Sequence, residues 1–148
     1  MKHLPFSTNA VALLTAAVIA ISLTMAPAAQ AQNTRVFELR TYYAHEGKLD
    51  DLMARFRNHT TKLFEKHGMT NIGYWVPVDK EKGSDNTLIY IIAHKSREAA
   101  AASFKAFRED PDWAAARKAS EAKAGGSLTV KDGVQSIFMK PAAYSPTK

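Results

Sequence analysis

The sequence predicts an α+β domain, an antiparallel sheet backed by helices, in the order β-α-β-β-α-β. Three observations predict it. Phe37-Glu38-Leu39-Arg40-Thr41-Tyr42-Tyr43 alternates in side-chain character with the two-residue period of a strand. Residues 48–67 repeat apolar side chains at three- and four-residue steps, the period of an amphipathic helix. Residues 87–94 then form an apolar run of strand length, followed by two capped helical segments and a last strand.

Residues 1–31 read as a targeting segment ahead of this domain. Lys2 and His3 make a short basic start. Residues 11–25 are apolar except for Thr15, Ser22 and Thr24, and Ala29-Gln30-Ala31 is an A-x-A site for cleavage before Gln32. The apolar run is shorter than the roughly 20 residues that cross a bilayer. Soluble export, periplasmic or secreted, is therefore the better reading than stable membrane insertion. Cleavage leaves one domain over residues 32–148, with its core at about 35–140 and an extended C-terminal tail. There is no cysteine, so no disulfide staples the exported domain and packing or oligomerisation must hold it. Without Lys2 the mature chain carries 19 Lys+Arg against 14 Asp+Glu, a formal charge of +5. The cations are interleaved with acids rather than grouped, which argues against nucleic acid as a partner.

Each element has its own signal. In the first strand, residues 35–43, Phe37, Leu39, Thr41 and Tyr43 share one face and Val36, Glu38, Arg40 and Tyr42 the other. The helix over 48–67 buries Leu49, Leu52, Met53, Phe56, Thr60, Leu63, Phe64 and His67, turns Arg55, Lys62, Glu65 and Lys66 outward, and stops at Gly68. Residues 71–78 are the second strand, and Pro77 marks an edge position or its exit. A charged loop over 79–86 leads to the third strand, 87–94, apolar on both faces. Ser96 caps a helix that buries Ala100, Ala101, Phe104 and Phe107. Asp110, with Pro111 at the first helical position, caps the next, which ends at Gly125-Gly126. Residues 127–139 complete the sheet, in one piece or bent at Asp132-Gly133. This is a ferredoxin-like arrangement. With helices on one face only, the third strand's other apolar face needs cover, and a homodimer supplies it.

Three pieces in this order resemble the NIPSNAP family: Phe37-Glu38-Leu39-Arg40-Thr41-Tyr42-Tyr43; Leu63-Phe64-Glu65-Lys66-His67-Gly68-Met69 running into Gly73-Tyr74-Trp75; and Phe107-Arg108-Glu109-Asp110-Pro111-Asp112-Trp113. The end, Pro141-Ala142-Ala143-Tyr144-Ser145-Pro146, is similar to the family's C-terminal finish. The resemblance implies a dimeric α+β barrel. It implies no reaction; the wider superfamily includes cofactor-free monooxygenases and haem-binding proteins, a likeness of fold alone.

The chemistry-bearing residues remain open to two readings each. His67 at a helix end is a dipole-favoured structural histidine, or a haem ligand or general base. His59 is a boundary residue or part of a pocket between helix and sheet. His94 ends the third strand, where sheets often place ligand groups. Tyr42 and Trp75, with Tyr43, Tyr74 and Tyr90, suit core and dimer packing or an apolar pocket with polar tips. Glu38 and Arg40, two apart on a strand covered by a partner, must be paired there, either fixing the dimer or receiving an anionic ligand. No H-E-x-x-H, G-x-S-x-G, Walker or dinucleotide glycine pattern is present, which argues against a hydrolase, a nucleotide enzyme or a structural metal site. The expectation is an exported homodimer binding a small apolar or aromatic ligand or a protein partner, with no cofactor and no catalytic residue assigned. The alternatives are a cofactor-independent monooxygenase holding an aromatic substrate near Tyr42, His59, Trp75 and His94, and haem binding through His59 or His67.

Overall fold

The alternating stretch at residues 37–43 lies within β1 (Val36–Ala44), an interior strand hydrogen-bonded antiparallel to β3 (Thr87–His94) on one side and to β4 (Thr129–Met139) on the other. β2 (Thr70–Trp75) pairs antiparallel with the far side of β3, giving the order β2-β3-β1-β4. The first helical stretch comprises α1 (Leu49–Arg55), a π turn (Phe56–Thr60) and α2 (Thr61–Lys66). α3 (Arg97–Glu109) and α4 (Pro111–Ala124) follow β3. The chain is thus an α+β domain of ferredoxin-like topology. This computed structural model describes residues 35–147, so the leader read at residues 1–31 lies outside the described residues. Among the described residues no helix is long and apolar enough to cross a membrane.

The ends of the elements follow their local chemistry. Ser96 Oγ accepts the Ala99 N–H at 3.1 Å and Asp110 Oδ1 accepts the Asp112 N–H at 2.8 Å, so α3 and α4 begin on side-chain caps. β2 ends at Trp75, two residues before Pro77, and is an edge strand, as its proline implies. A register shift between Asn71 and Gly73 breaks its alternation, so Asn71 and Tyr74 come to one face and the Tyr74 hydroxyl bonds to Asn71. β4 is one strand with an irregularity where it meets the end of β1. There Asp132 takes a positive φ of 57°, and a Cβ on Gly133 would stand 2.5 Å from Val130 and 3.0 Å from the Tyr43 carbonyl oxygen.

Directly paired residues of an antiparallel sheet share a face. Two faces of different character result. The helix-covered face carries Tyr74, Tyr90, Arg40 and Ser136 in one row, and Ile92, Glu38 and Phe138 in the next. The open face carries Gly73, Ile91, Leu39 and Ile137 in one row, and Trp75, Ile89 and Thr41 in the next. Glu38 and Arg40, expected where a partner covers the strand, therefore lie under this chain's own helices and not on the open face. The core is the helix side, where Phe56, Phe64, Phe107 and Tyr90 pack with ring centroids 5.0–6.2 Å apart. In α3, Ala100 and Phe107 are buried and Phe104 packs against the core, while Ala101 faces solvent. The C-terminal tail turns at Ala142–Ser145 and shares a cleft with Phe37, Ile72 and Ile91 at one end of the open face.

Candidate functional site

Two polar clusters sit on the covered face of the sheet, one closed and one open. The closed one is centred on Glu38, whose side chain is 2% exposed. Its Oε1 accepts from Arg40 Nη1 at 2.5 Å and its Oε2 from His94 Nε2 at 3.0 Å. A carboxylate can only accept, so His94 carries its proton on Nε2, and its buried Nδ1 makes no hydrogen bond. Burial alone would raise the Glu38 carboxyl, but hydrogen bonds from His94 and Arg40 outweigh it and hold the group below the usual carboxylate range. The Arg40 guanidinium also lies 4.6 Å from the Phe104 ring centroid. This answers the expectation of a pair: it exists, and its third member is His94.

The open cluster begins at Tyr42, the next residue of β1 on the same face. Its ring packs 5.5 Å from Phe56 and 5.4 Å from Tyr90. The Tyr90 hydroxyl is fully buried beside Tyr42 and Arg40 without a hydrogen bond of good geometry. Burial, then Tyr42, pushes its ionisation well above the usual tyrosine range, so it stays a neutral phenol.

Beyond Tyr42 opens a cavity of about 230 Å³ between the sheet and the helices. Its walls include Tyr42, Phe56, Thr60, Trp113, Arg117 and Glu121. Arg55 also lines it, although the periodic pattern turned that residue outward. Its side chain is 6% exposed, with the guanidinium 5.2 Å from the Trp113 ring centroid. The π turn supplies the local context. Thr61 N–H bonds to the Phe56 carbonyl five residues back, and the Thr60 hydroxyl donates to the Arg55 carbonyl at 3.3 Å. The apolar stripe stays buried on both sides of this turn; Arg55 stands at its flank, three residues after Leu52, where Trp113 and Glu121 of α4 meet it. Burial lowers the Arg55 guanidinium, and Glu121 only partly restores it. Its Nε and Nη1 find no hydrogen-bond partner, and Glu121 Oε1 stands 3.8 Å from Nη1 while accepting from Arg117 Nε at 3.0 Å. Sequence reasoning missed this arginine. One signal was available: Trp113, Arg117 and Glu121 recur every four residues on α4 and present one aromatic and ionic face.

The other singled-out residues are dispersed. His59 lines an outer groove between the first helical stretch and α4, with Lys62, Lys66 and Ala119. Trp75 is half exposed and borders a separate cleft at the β2 edge with Met53, Arg57 and Val76. His67 Nε2 bonds to Asp110 Oδ2 at 2.6 Å, tying the end of α2 to the cap of α4, and Lys66 Nζ meets the same oxygen at 2.8 Å. Those two contacts, Lys66 first, hold the Asp110 carboxyl far below its usual range. Tyr42, His59, Trp75 and His94 therefore do not converge on one pocket. Among the described residues no group of three or more His, Cys, Asp or Glu could hold a metal ion.

Comparison with known proteins agrees with this topology. No functionally curated protein matches the chain. Among solved structures it is similar to a NIPSNAP family protein of unknown function from Agrobacterium tumefaciens, at 21% identity and TM-score 0.64, covering 79% of this chain and 96% of that one. An uncharacterised NIPSNAP-like domain protein from Burkholderia xenovorans is similar at 17% identity and TM-score 0.63, covering 77% and 90%. A monooxygenase of Streptomyces coelicolor, solved in complex with nanaomycin D, shares the fold at 16% identity and TM-score 0.52, covering 78% and 95%. The NIPSNAP family profile matches residues 37–146, nearly the whole described domain, and the chain belongs to the NIPSNAP family.

Proposed function

We propose that this chain acts as an exported homodimer that holds one small, mainly apolar molecule per subunit in the cavity between the sheet and the helices. The cavity carries the reading. It is more enclosed than the outer grooves, its walls set aromatic rings beside convergent polar side chains, and a buried side chain in it has unfilled hydrogen-bonding capacity. Export rests on the leader pattern at residues 1–31. The dimer rests on the apolar open face, where Ile137 is 60% and Trp75, in the neighbouring row, 50% exposed.

The oxygenase alternative asks for a histidine beside the substrate. His94 is committed to Glu38 and His59 faces the outer groove, so the cavity has no imidazole wall. Haem ligation through His67 would compete with its short contact to Asp110. Ligand binding without an assigned reaction is thus the better-supported reading.

The test is native mass spectrometry of protein purified from its source. The expected result is a dimer whose subunits begin at Gln32 and carry a noncovalent added mass that denaturation releases. A ligand-free monomer that also takes up no aromatic probe would overturn the reading.

A further inference from the structure

We infer that the cavity ligand is a small aromatic carboxylate, its ring held among Tyr42, Phe56 and Trp113 and its acid group received by the Arg55 guanidinium. The inference rests on the cavity reading above and adds the chemical class. Arg55 is nine-tenths buried, its Nε and Nη1 make no hydrogen bond, and its ion pair with Glu121 is a loose 3.8 Å. A guanidinium is a planar fork matched to a planar two-oxygen anion, and leaving its donors unmet in a dry site is costly.

The charge count of the walls points the same way. Two guanidiniums, Arg55 and Arg117, face one carboxylate, Glu121. That carboxylate hydrogen-bonds to Arg117 and stays beyond hydrogen-bond reach of Arg55. The wall therefore keeps one positive charge in excess, and of the two guanidiniums Arg55 is the more buried and the more loosely paired with Glu121. The neighbouring sheet charges cannot neutralise it, because Glu38 is spent on Arg40 and His94. Tyr42, Phe56, Phe64, Phe107 and Trp113 supply aromatic surface to the wall beside the hydroxyls of Thr60, Ser127 and Thr129, which favours a ring over an aliphatic acid. At about 230 Å³ the space lies below the ~300–1,000 Å³ of clefts that take drug-sized ligands, which fits one ring rather than a fused system.

The experiment is calorimetric titration of the purified protein at neutral pH with benzoate, with its uncharged counterpart benzamide, and with acetate. Benzoate is expected to bind about ten-fold or more tightly than benzamide, the scale of a charge-assisted hydrogen bond, and acetate weakly. Two substitutions should move that preference in opposite directions. Arg55→Lys, which keeps the charge but loses the fork, should erase most of it while leaving benzamide within about two-fold. Glu121→Gln removes the competing anion and should tighten benzoate several-fold, a gain that a damaged fold does not produce. Equal binding of benzoate and benzamide, or a Glu121→Gln protein that loses benzoate, overturns the charge assignment and leaves the cavity reading standing. Acetate binding as tightly as benzoate overturns the ring. If neither aromatic probe binds, the cavity reading falls and this inference falls with it.

Discussion

The two faces of the sheet invert the usual arrangement. The face sealed by helices holds, beside the core residues Leu88 and Ile92, the buried charges Glu38, Arg40 and His94 and the phenols Tyr42 and Tyr90. The face without helices holds the aliphatics Leu39, Ile89, Ile91 and Ile137. Buried polar groups cost stability unless each is paired, so they persist where they specify something. An exposed apolar row costs solubility until another protein surface covers it. The difference assigns the faces different partners: the outer one suits a large apolar surface, and the inner one, where its pairing is incomplete, suits a small polar-ended molecule.

Glu38→Ala should break this comparison most sharply. It strands the Arg40 cation and the His94 donor on the covered face, where removing one member of a buried ionic cluster costs about 3–5 kcal/mol. Chemical denaturation should show a large fall in midpoint. Acid should reveal the same cluster in the unmodified protein. The folded-state ionisation of Glu38 is depressed, so its contribution is fully present above the unfolded value and is lost as pH falls through the folded one. Stability should therefore decline as pH drops below the ordinary value of 4.5. Glu38→Gln should be less stable at neutral pH and flatten that decline. An acid profile unchanged by Glu38→Gln would place the acid sensitivity elsewhere, with Asp110 the next group to examine.

On the open face the expected loss is of association, not of fold. Ile137→Lys puts a charge at the end of the aliphatic row, at a position largely solvated in the single chain. Two copies of the lost contact amount to about 2 kcal/mol or more, roughly thirty-fold or more in the dimer dissociation constant. Sedimentation should shift toward monomer while the unfolding midpoint, measured at a concentration where both proteins are monomeric, stays nearly unchanged. A variant that still sediments as a dimer would move the interface off this face.

Much of the fold was legible in the sequence because period and capping are local. The runs that became β1, β3, α3 and α4, the two caps and the edge position of β2 all follow from side chains within a few residues of one another. Which face of β1 the helices cover was not legible. Alternation groups Glu38 with Arg40 and Tyr42, but choosing the covered side depends on where α1 and α3 return across the sheet. The closed cluster was half visible, since two residues apart on a strand share a face. Its third member, His94, arrives from a residue 56 positions away through the β1–β3 pairing. Arg55 was hidden for a different reason. It flanks the apolar stripe, and what buries it, Trp113 and Glu121 of α4, comes from a distant part of the chain.

The smallest expected effect lies inside the π turn. Thr60 is buried, and its hydroxyl gives one long hydrogen bond, 3.3 Å, to the Arg55 carbonyl. A neutral bond of this kind contributes about 0.5–1.5 kcal/mol, and its length places it at the low end. In Thr60→Val a methyl replaces the hydroxyl and that bond is lost. The net cost should be under about 1 kcal/mol, read as a small shift of denaturant midpoint at constant slope. Dimerisation should not change, since the residue is on the helix side of the sheet. Benzoate affinity is the informative readout. If the turn is held by packing of Phe56 and Phe64 against Tyr90, Arg55 keeps its place and the affinity stays within about two-fold. If the hydroxyl holds the turn, its loss shifts Arg55 away from Trp113 and the preference for the carboxylate disappears, while the aliphatic face on the other side of the sheet is untouched.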